Sequence, residues 1–129
     1  MSRFTLSLLV VFLLVSCSKP KAVPEDEMCL RTSFSALQRG DYKTYVQTLY
    51  SSEGRLDSTM LQWRIMAASR YAESLRHEYG SFIDIKIKER KQLSDSTTML
   101  YYYMYMANGD SVALSQRMRL TPDGWRLDQ

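Results

Sequence analysis

Between Phe4 and Val15 the chain is almost unbroken in apolar residues, after a start that carries one charge, Arg3. A run of that length falls short of the ~20 residues a membrane span needs and fits the hydrophobic region of a secretory signal peptide. From Pro24 the pattern changes. Pro24-Glu25-Asp26-Glu27 sets a proline and three acids where a helix begins, because proline's fixed φ and the positive end of the helix dipole suit that position. Leu30, Phe34 and Leu37 then recur at helical spacing until Gly40. Asp41 can cap a short second helix with Tyr42, Tyr45, Val46 and Leu49 on one face. Ser51-Ser52-Glu53-Gly54 reads as a loop. Asp57 or Ser58 caps the longest helix, which runs to about Tyr79 and stops at Gly80. Its main stripe is Leu61, Ile65, Ala68, Ala72, Leu75 and Tyr79, and beside it lie Met60, Trp63, Ala67 and Tyr71. A helix apolar over so wide an arc is expected to be the central element of the core.

After Gly80 the period falls to two. Ile83, Ile85 and Ile87 alternate with Asp84, Lys86 and Lys88, the pattern of a half-buried strand. Thr97 to Ala107 makes a second strand dense in Tyr and Met, Ser111 to about Leu120 a third, and Trp125 to Leu127 a short closing strand after the Pro122-Asp123-Gly124 turn. Asn108-Gly109 predicts a two-residue hairpin loop. That loop pairs Met99 with Met118, Tyr101 with Gln116, Tyr103 with Leu114 and Tyr105 with Val112, on a face expected to pack against the long helix. The opposite face then carries Leu100, Tyr102, Met104 and Met106 against Arg117, Ser115, Ala113 and Ser111. The expected architecture is α+β, with three N-terminal helices on one face of a curved antiparallel meander of about four strands.

Composition bounds the function. The chain has 129 residues, 24% of them charged, with a net charge of +3, one His and two Cys. That is a single globular domain. It has too few Cys and His for the usual zinc site, and it carries no phosphate loop or nucleophile elbow. No cofactor is expected. Nucleic acid is not an expected partner, since the excess charge is small and the chain looks exported.

Leu14-Val15-Ser16-Cys17 resembles the lipoprotein signal of bacteria. The resemblance implies cleavage after Ser16, a diacylglyceryl group on the sulfur of Cys17, and acylation of the new amine. Several acyl chains anchor a protein stably where one does not. Residues 1–16 are then the signal peptide and 17–24 the lipidated cysteine and a Pro/Lys tether, which spans about 23 Å at most at ~3.3 Å per residue. Residues 25–129 form the domain. Ser18, rather than Asp, after the cysteine resembles the address of the outer membrane of Gram-negative bacteria and favours it over the inner membrane. Cys29 is left without an intramolecular partner and reads as a small buried hydrophobe.

Taken in order, Gly40-Asp41-Tyr42, the aromatic second helix, Tyr79-Gly80 and the terminal Asp123-Gly124-Trp125-Arg126-Leu127 resemble small exported lipoproteins with a nuclear-transport-factor-2-like, cystatin-like domain. No strands are evident between Tyr50 and Asp57, which points to the shorter branch without assigned activity. The resemblance implies a cone between sheet and helices, with Trp63, Tyr71, Tyr101, Tyr103 and Tyr105 as pocket candidates. His77, flanked by Arg76 and Glu78, reads as a surface residue. No carboxylate falls on an expected core position, so an acid–base pair is not expected. The expectation is a non-enzymatic binding module held at a membrane; the alternative is a small apolar-ligand carrier or enzyme using the cone pocket. Lys86, Lys88, Tyr102, Arg117 and Arg119 form an expected outer-face site for an acidic partner or envelope protein. The apolar strip of that face, Leu100 to Met106, also suggests a weak homodimer.

Overall fold

The computed structural model describes residues 23–129. Helix α1 spans Glu25–Arg39, α2 Tyr42–Gln47 and α3 Ser58–Tyr79; strands β1 Phe82–Ser94, β2 Thr97–Met106, β3 Ser111–Thr121 and β4 Gly124–Asp128 follow. Local chemistry explains the helix ends. Asp41 accepts the Thr44 amide at 3.2 Å and Asp57 the Met60 amide at 2.8 Å, caps worth roughly 1 kcal/mol each. Gly40 ends α1 at φ 75°, a conformation that a Cβ disfavours, and lets Asp41 N–H donate to Ala36 O at 2.8 Å.

The four strands form one antiparallel sheet in the order β1-β2-β3-β4. The helices pack on one face of this curved meander, which is the expected α+β cone. Earlier parts of the chain cap the start of β1 and one position of β4. At β1 the carbonyls of Phe82 and Ile83 accept from Gln38 Nε2 at 3.3 and 3.1 Å, and that of Ile85 from Arg31 Nη1 at 3.5 Å. Along β4, Leu127 N–H donates to Thr48 O, and Tyr50 N–H donates to Leu127 O, both at 2.7 Å. Leu49 thereby forms a parallel bridge to Leu127. The buried apolar core runs from Leu30 to Leu127 and draws on all seven elements, so residues 23–129 share one core.

The hairpin register differs from expectation by one residue. Observed pairs are Leu100–Gln116, Tyr102–Leu114 and Met104–Val112. The loop is longer than two residues: Gly109 N–H donates to Met106 O at 3.1 Å and Met106 N–H to Asp110 O at 2.8 Å. Gly109 has φ 93°, while among the described residues only glycines have positive φ. A three-residue loop with glycine in the left-handed position replaces the two-residue turn, in which Asn108 would also need positive φ. Because side chains alternate, the slip inverts β2. Leu100, Met104 and Met106 are buried with Met118, and Tyr101, Tyr103 and Tyr105 point away from the helices.

Two further expectations are corrected. In β1 a bulge between Phe82 and Asp84 turns Phe82 inward and leaves Ile83 54% exposed, so Ile83 does not share a face with Ile85. The central helix is α1, which buries Leu30, Ser33, Ala36 and Leu37 and touches β1, β3 and β4. Helix α3 packs chiefly on α2 and fully buries only Ala68 and Ala72. Of its second apolar stripe, Met60, Trp63 and Ala67 face solvent, while the Tyr71 ring stacks on Tyr45.

Candidate functional site

The cone closes where α1, α2 and α3 meet the inner face of β2 and β3. Its walls are apolar, set by Leu30, Leu37, Phe82, Met104 and Leu127. The polar groups are Ser33, Tyr45, Tyr71, Tyr102, Gln116 and Gln129. Ser33 is turned back on its own helix, donating to Leu30 O at 2.7 Å. The Tyr45 and Tyr71 rings stack at 6.3 Å between centroids and 18° between planes, and Gln129 Nε2 donates to the Tyr45 hydroxyl at 3.3 Å. The space left is about 40 Å³. It suits a few water molecules, whereas small-molecule sites are roughly 300–1,000 Å³.

Burial holds these phenols protonated. Tyr102 is pushed up to about 12, first by desolvation and then by Tyr71 and Tyr45, and burial likewise raises Tyr45 and Tyr71. A neutral phenol can donate a hydrogen bond but is a poor general base near neutrality. Among the described residues, no carboxylate or imidazole lines the cavity. The arrangement can orient a water or a small polar group through its phenols and amides.

One buried carboxylate lies elsewhere, and here expectation is corrected again. Asp26 is 1% exposed. Its Oδ2 accepts from Arg90 Nε at 2.8 Å and Thr98 Oγ1 at 2.7 Å, and its Oδ1 from Glu27 N–H at 3.0 Å. The group pins the first turn of α1 to β1 and β2. The signal was present in the sequence, because Asp26 stands four residues before Leu30 on the buried stripe. Three adjacent acids at a helix start also satisfy the dipole, and that explanation masked it.

The pocket candidates divide. Tyr71 lines the cavity. Trp63 is 64% exposed on the outward side of α3. Tyr101, Tyr103 and Tyr105 lie on the outer sheet face, because the register slip carries them there, while Tyr102, assigned to the outer face, lines the cone. The outer-face cations do gather around the exchanged tyrosines. Lys86 pairs with Tyr103, and the Lys88 ammonium sits 5.6 Å from the Tyr103 ring centroid. Arg117 pairs with Met99. Arg119 is already committed, to Asp128 at 3.0 Å and over the Tyr50 ring at 4.5 Å. The apolar strip Leu100 to Met106, which suggested a homodimer, is inside.

His77 is exposed. The Cys29 thiol donates to Trp125 O at 3.2 Å, and burial raises its pKa to about 11, with Arg126 opposing and Asp26 adding to the effect. That is the opposite of an activated nucleophile. Among the described residues, no three His, Cys, Asp or Glu side chains gather to hold a metal, and no helix is long and apolar enough to cross a membrane. Cys17 lies outside the described residues.

No family model matches the sequence, and neither does any curated protein. Solved structures do match. A Campylobacter jejuni protein provisionally assigned as an NTF2-like transpeptidase aligns with a TM-score of 0.63 at 16% identity, over 82% of this chain and 99% of its own. The fold is nuclear-transport-factor-2-like. A SEC-C motif containing protein from Rhodopseudomonas palustris aligns with a TM-score of 0.51 at 15% identity, over 90% of this chain and 83% of its own. An NTF-2 like protein of unknown function from Shewanella oneidensis gives 0.47 at 17% identity, over 78% and 88%. At such identities the likeness is one of fold. The NTF2-like cone of this chain is the filled one described above.

Proposed function

We infer that this chain is a lipid-anchored module of a bacterial cell envelope that binds another molecule and does not transform one. The observation that carries the second half is the cone: about 40 Å³, ringed by neutral phenols and amides. A fold known for cavities is here packed with its own side chains, so binding falls to the surface. The carrier or enzyme reading would need that cone emptied by displacement of Tyr102 or Met104, both held in the central strand. The anchor follows from Leu14-Val15-Ser16-Cys17, and Ser18 favours the outer membrane over the inner. Labelled palmitate entering the wild type and absent from Cys17→Ala is the expected result. Label in the variant, or a mature wild type that begins elsewhere, ends the anchored reading.

A second reading concerns the partner and rests on the outer sheet face. Lys86, Lys88 and Arg117 gather around Tyr103 in the row Tyr101, Tyr103 and Tyr105, whose outer members pair with the acids Glu89 and Asp84, with Ala113 and Ser115 as small neighbours. Aromatic rings between cations suit an acidic protein segment of the envelope.

A further inference from the structure

Helix α3 is the longest helix of the fold and the most lightly held. Of its 22 residues only Ala68 and Ala72 are fully buried, whereas the 15 residues of α1 bury Asp26, Leu30, Ser33, Ala36 and Leu37. Leu61, Ile65, Leu75 and Tyr79 add partial contacts with the core, and the helix rests chiefly on α2, which has six residues. Among the described residues, one side-chain hydrogen bond ties α3 to another element, from Arg76 Nη2 to Leu37 O at 3.5 Å, and no ion pair does. The chain on either side is fixed. Tyr50 N–H donates to Leu127 O at 2.7 Å, and the Ser81 carbonyl accepts from Ala107 N–H at 2.9 Å. Between those points lie two joints. One is the loop of residues 51–57. The other is Gly80, at φ 79° with nothing within 4 Å of where a Cβ would stand. The loop also holds the one buried side-chain polar atom among the described residues that finds no hydrogen-bond partner, the hydroxyl oxygen of Ser51. Ser33, Thr48 and Thr98 all bond theirs. An orphan of this kind is a cost carried by the closed arrangement.

We propose that α3 is a hinged cover, which undocks from the rest of the domain between the 51–57 loop and Gly80. Hinges are a few residues at loops and element ends, and the elements that move come from the less firmly packed part of a fold. Three observations meet at this one element: few enclosed side chains, a single long hydrogen bond outward, and an unsatisfied hydroxyl at one joint. What α3 covers is the rim of the cone. Its Tyr71 ring stacks on Tyr45, and its Leu75 lines the same cavity as Tyr102 and Leu114. Undocking leaves Tyr102 and Met104 in place on β2, so it does not empty the cone. It uncovers Tyr45, Tyr102 and Leu114 and lets water reach the Ser51 hydroxyl. The module that binds at its surface thereby has a second, more apolar state. This goes beyond the binding reading and is independent of the lipid anchor.

The test is thiol labelling of the full chain under native conditions. Ala72→Cys places a thiol on the buried side of α3 and Ala36→Cys one on α1, at positions that are both 0% exposed. Each variant is treated with iodoacetamide, and mass spectrometry separates the new thiol from Cys17 and Cys29. Circular dichroism in urea gives the global stability of each variant, and Ala68→Cys takes the place of Ala72→Cys if that variant does not fold. Relative to global unfolding, labelling at position 72 is expected to be at least about tenfold faster than at position 36, and nearly insensitive to low urea, as a local opening is. Ser51→Ala added to Ala72→Cys should slow that labelling about fivefold, because the docked state no longer carries the orphan hydroxyl. Labelling at position 36 should not respond. Two results overturn the proposal. One is equal labelling at both positions with equal urea dependence, which means that α3 leaves only when the whole domain unfolds. The other is a Ser51→Ala effect that is the same at both positions, or absent at position 72.

Discussion

Asp26 accepts a hydrogen bond from the hydroxyl of Thr98, 72 residues later in the chain, at 2.7 Å. Both residues are buried, and Arg90 completes the group at 2.8 Å. Removing the carboxylate leaves a buried hydroxyl and a guanidinium without their acceptor. Because Arg90 is about a third exposed, water can recover part of the loss. Asp26→Ala is expected to cost about 2–3 kcal/mol in urea unfolding, and Thr98→Val about 1 kcal/mol. An Asp26→Ala midpoint equal to wild type would mean the network contributes nothing.

The hairpin register has its own test. Leu100→Ala should cost about 2–5 kcal/mol, since it empties a fully enclosed site. Tyr101→Ala, one residue on but on the outer face, should cost less than about 1 kcal/mol. The reverse order of midpoints would restore the two-residue loop.

Cys29 should react slowly with iodoacetamide in the native state at pH 8 and quickly once unfolded. The folded thiol is raised from 9.0 to about 11, so at pH 8 about a tenth of unfolded thiols but only about one in a thousand native ones are thiolate. The resulting stability is complete below pH 9 and is lost as pH rises toward about 11. Native alkylation as fast as denatured alkylation would contradict the burial of this thiol.

Tyr102 should be among the last phenols to ionise, near pH 12. In an ultraviolet titration of the folded domain, Tyr102→Phe is expected to remove amplitude from the high-pH limb and leave the transition near pH 10 intact. Loss of amplitude near pH 10 would place Tyr102 in solvent.

On the outer face, Lys86→Gln, Lys88→Gln and Arg117→Gln together should reduce retention on an acidic polypeptide and flatten its salt dependence, with thermal stability nearly unchanged. Arg119 is left out because Asp128 and Tyr50 already engage it. Equal, salt-insensitive retention by both proteins would leave a solvated face with no partner.

Much of the fold was legible because its signals are local. Asp41 and Asp57 cap the helices that follow them, Gly40 and Gly80 end helices, and the period of two begins within two residues of Gly80. What failed was decided between elements. Asn108-Gly109 is compatible with loops of two or three residues, and only the packing of Leu100 and Met104 under the helices selects one. Helix α3 has two apolar faces, so its sequence could not say which meets the core; α1, sitting across β1, β3 and β4, took the central place. The pocket suffered most, since a slip of one residue exchanged Tyr102 for its neighbours on both sides. Asp26 was hidden by having two sufficient explanations.

The sheet's two edges give the chain a temporal order. Gln38 and Arg31 hold the carbonyls of Phe82, Ile83 and Ile85 at the start of β1, and Thr48 and Tyr50 hold Leu127 of β4. All of these belong to segments that leave the ribosome, or the far side of a translocation channel, before any strand does. The start of β1 and the Leu127 position of β4 therefore arrive to find their outer-edge partners already synthesised. A chain rearranged to deliver α1 after β4 would hold the same contacts when finished. On the way there, its unguarded rims would be open to strands from neighbouring copies.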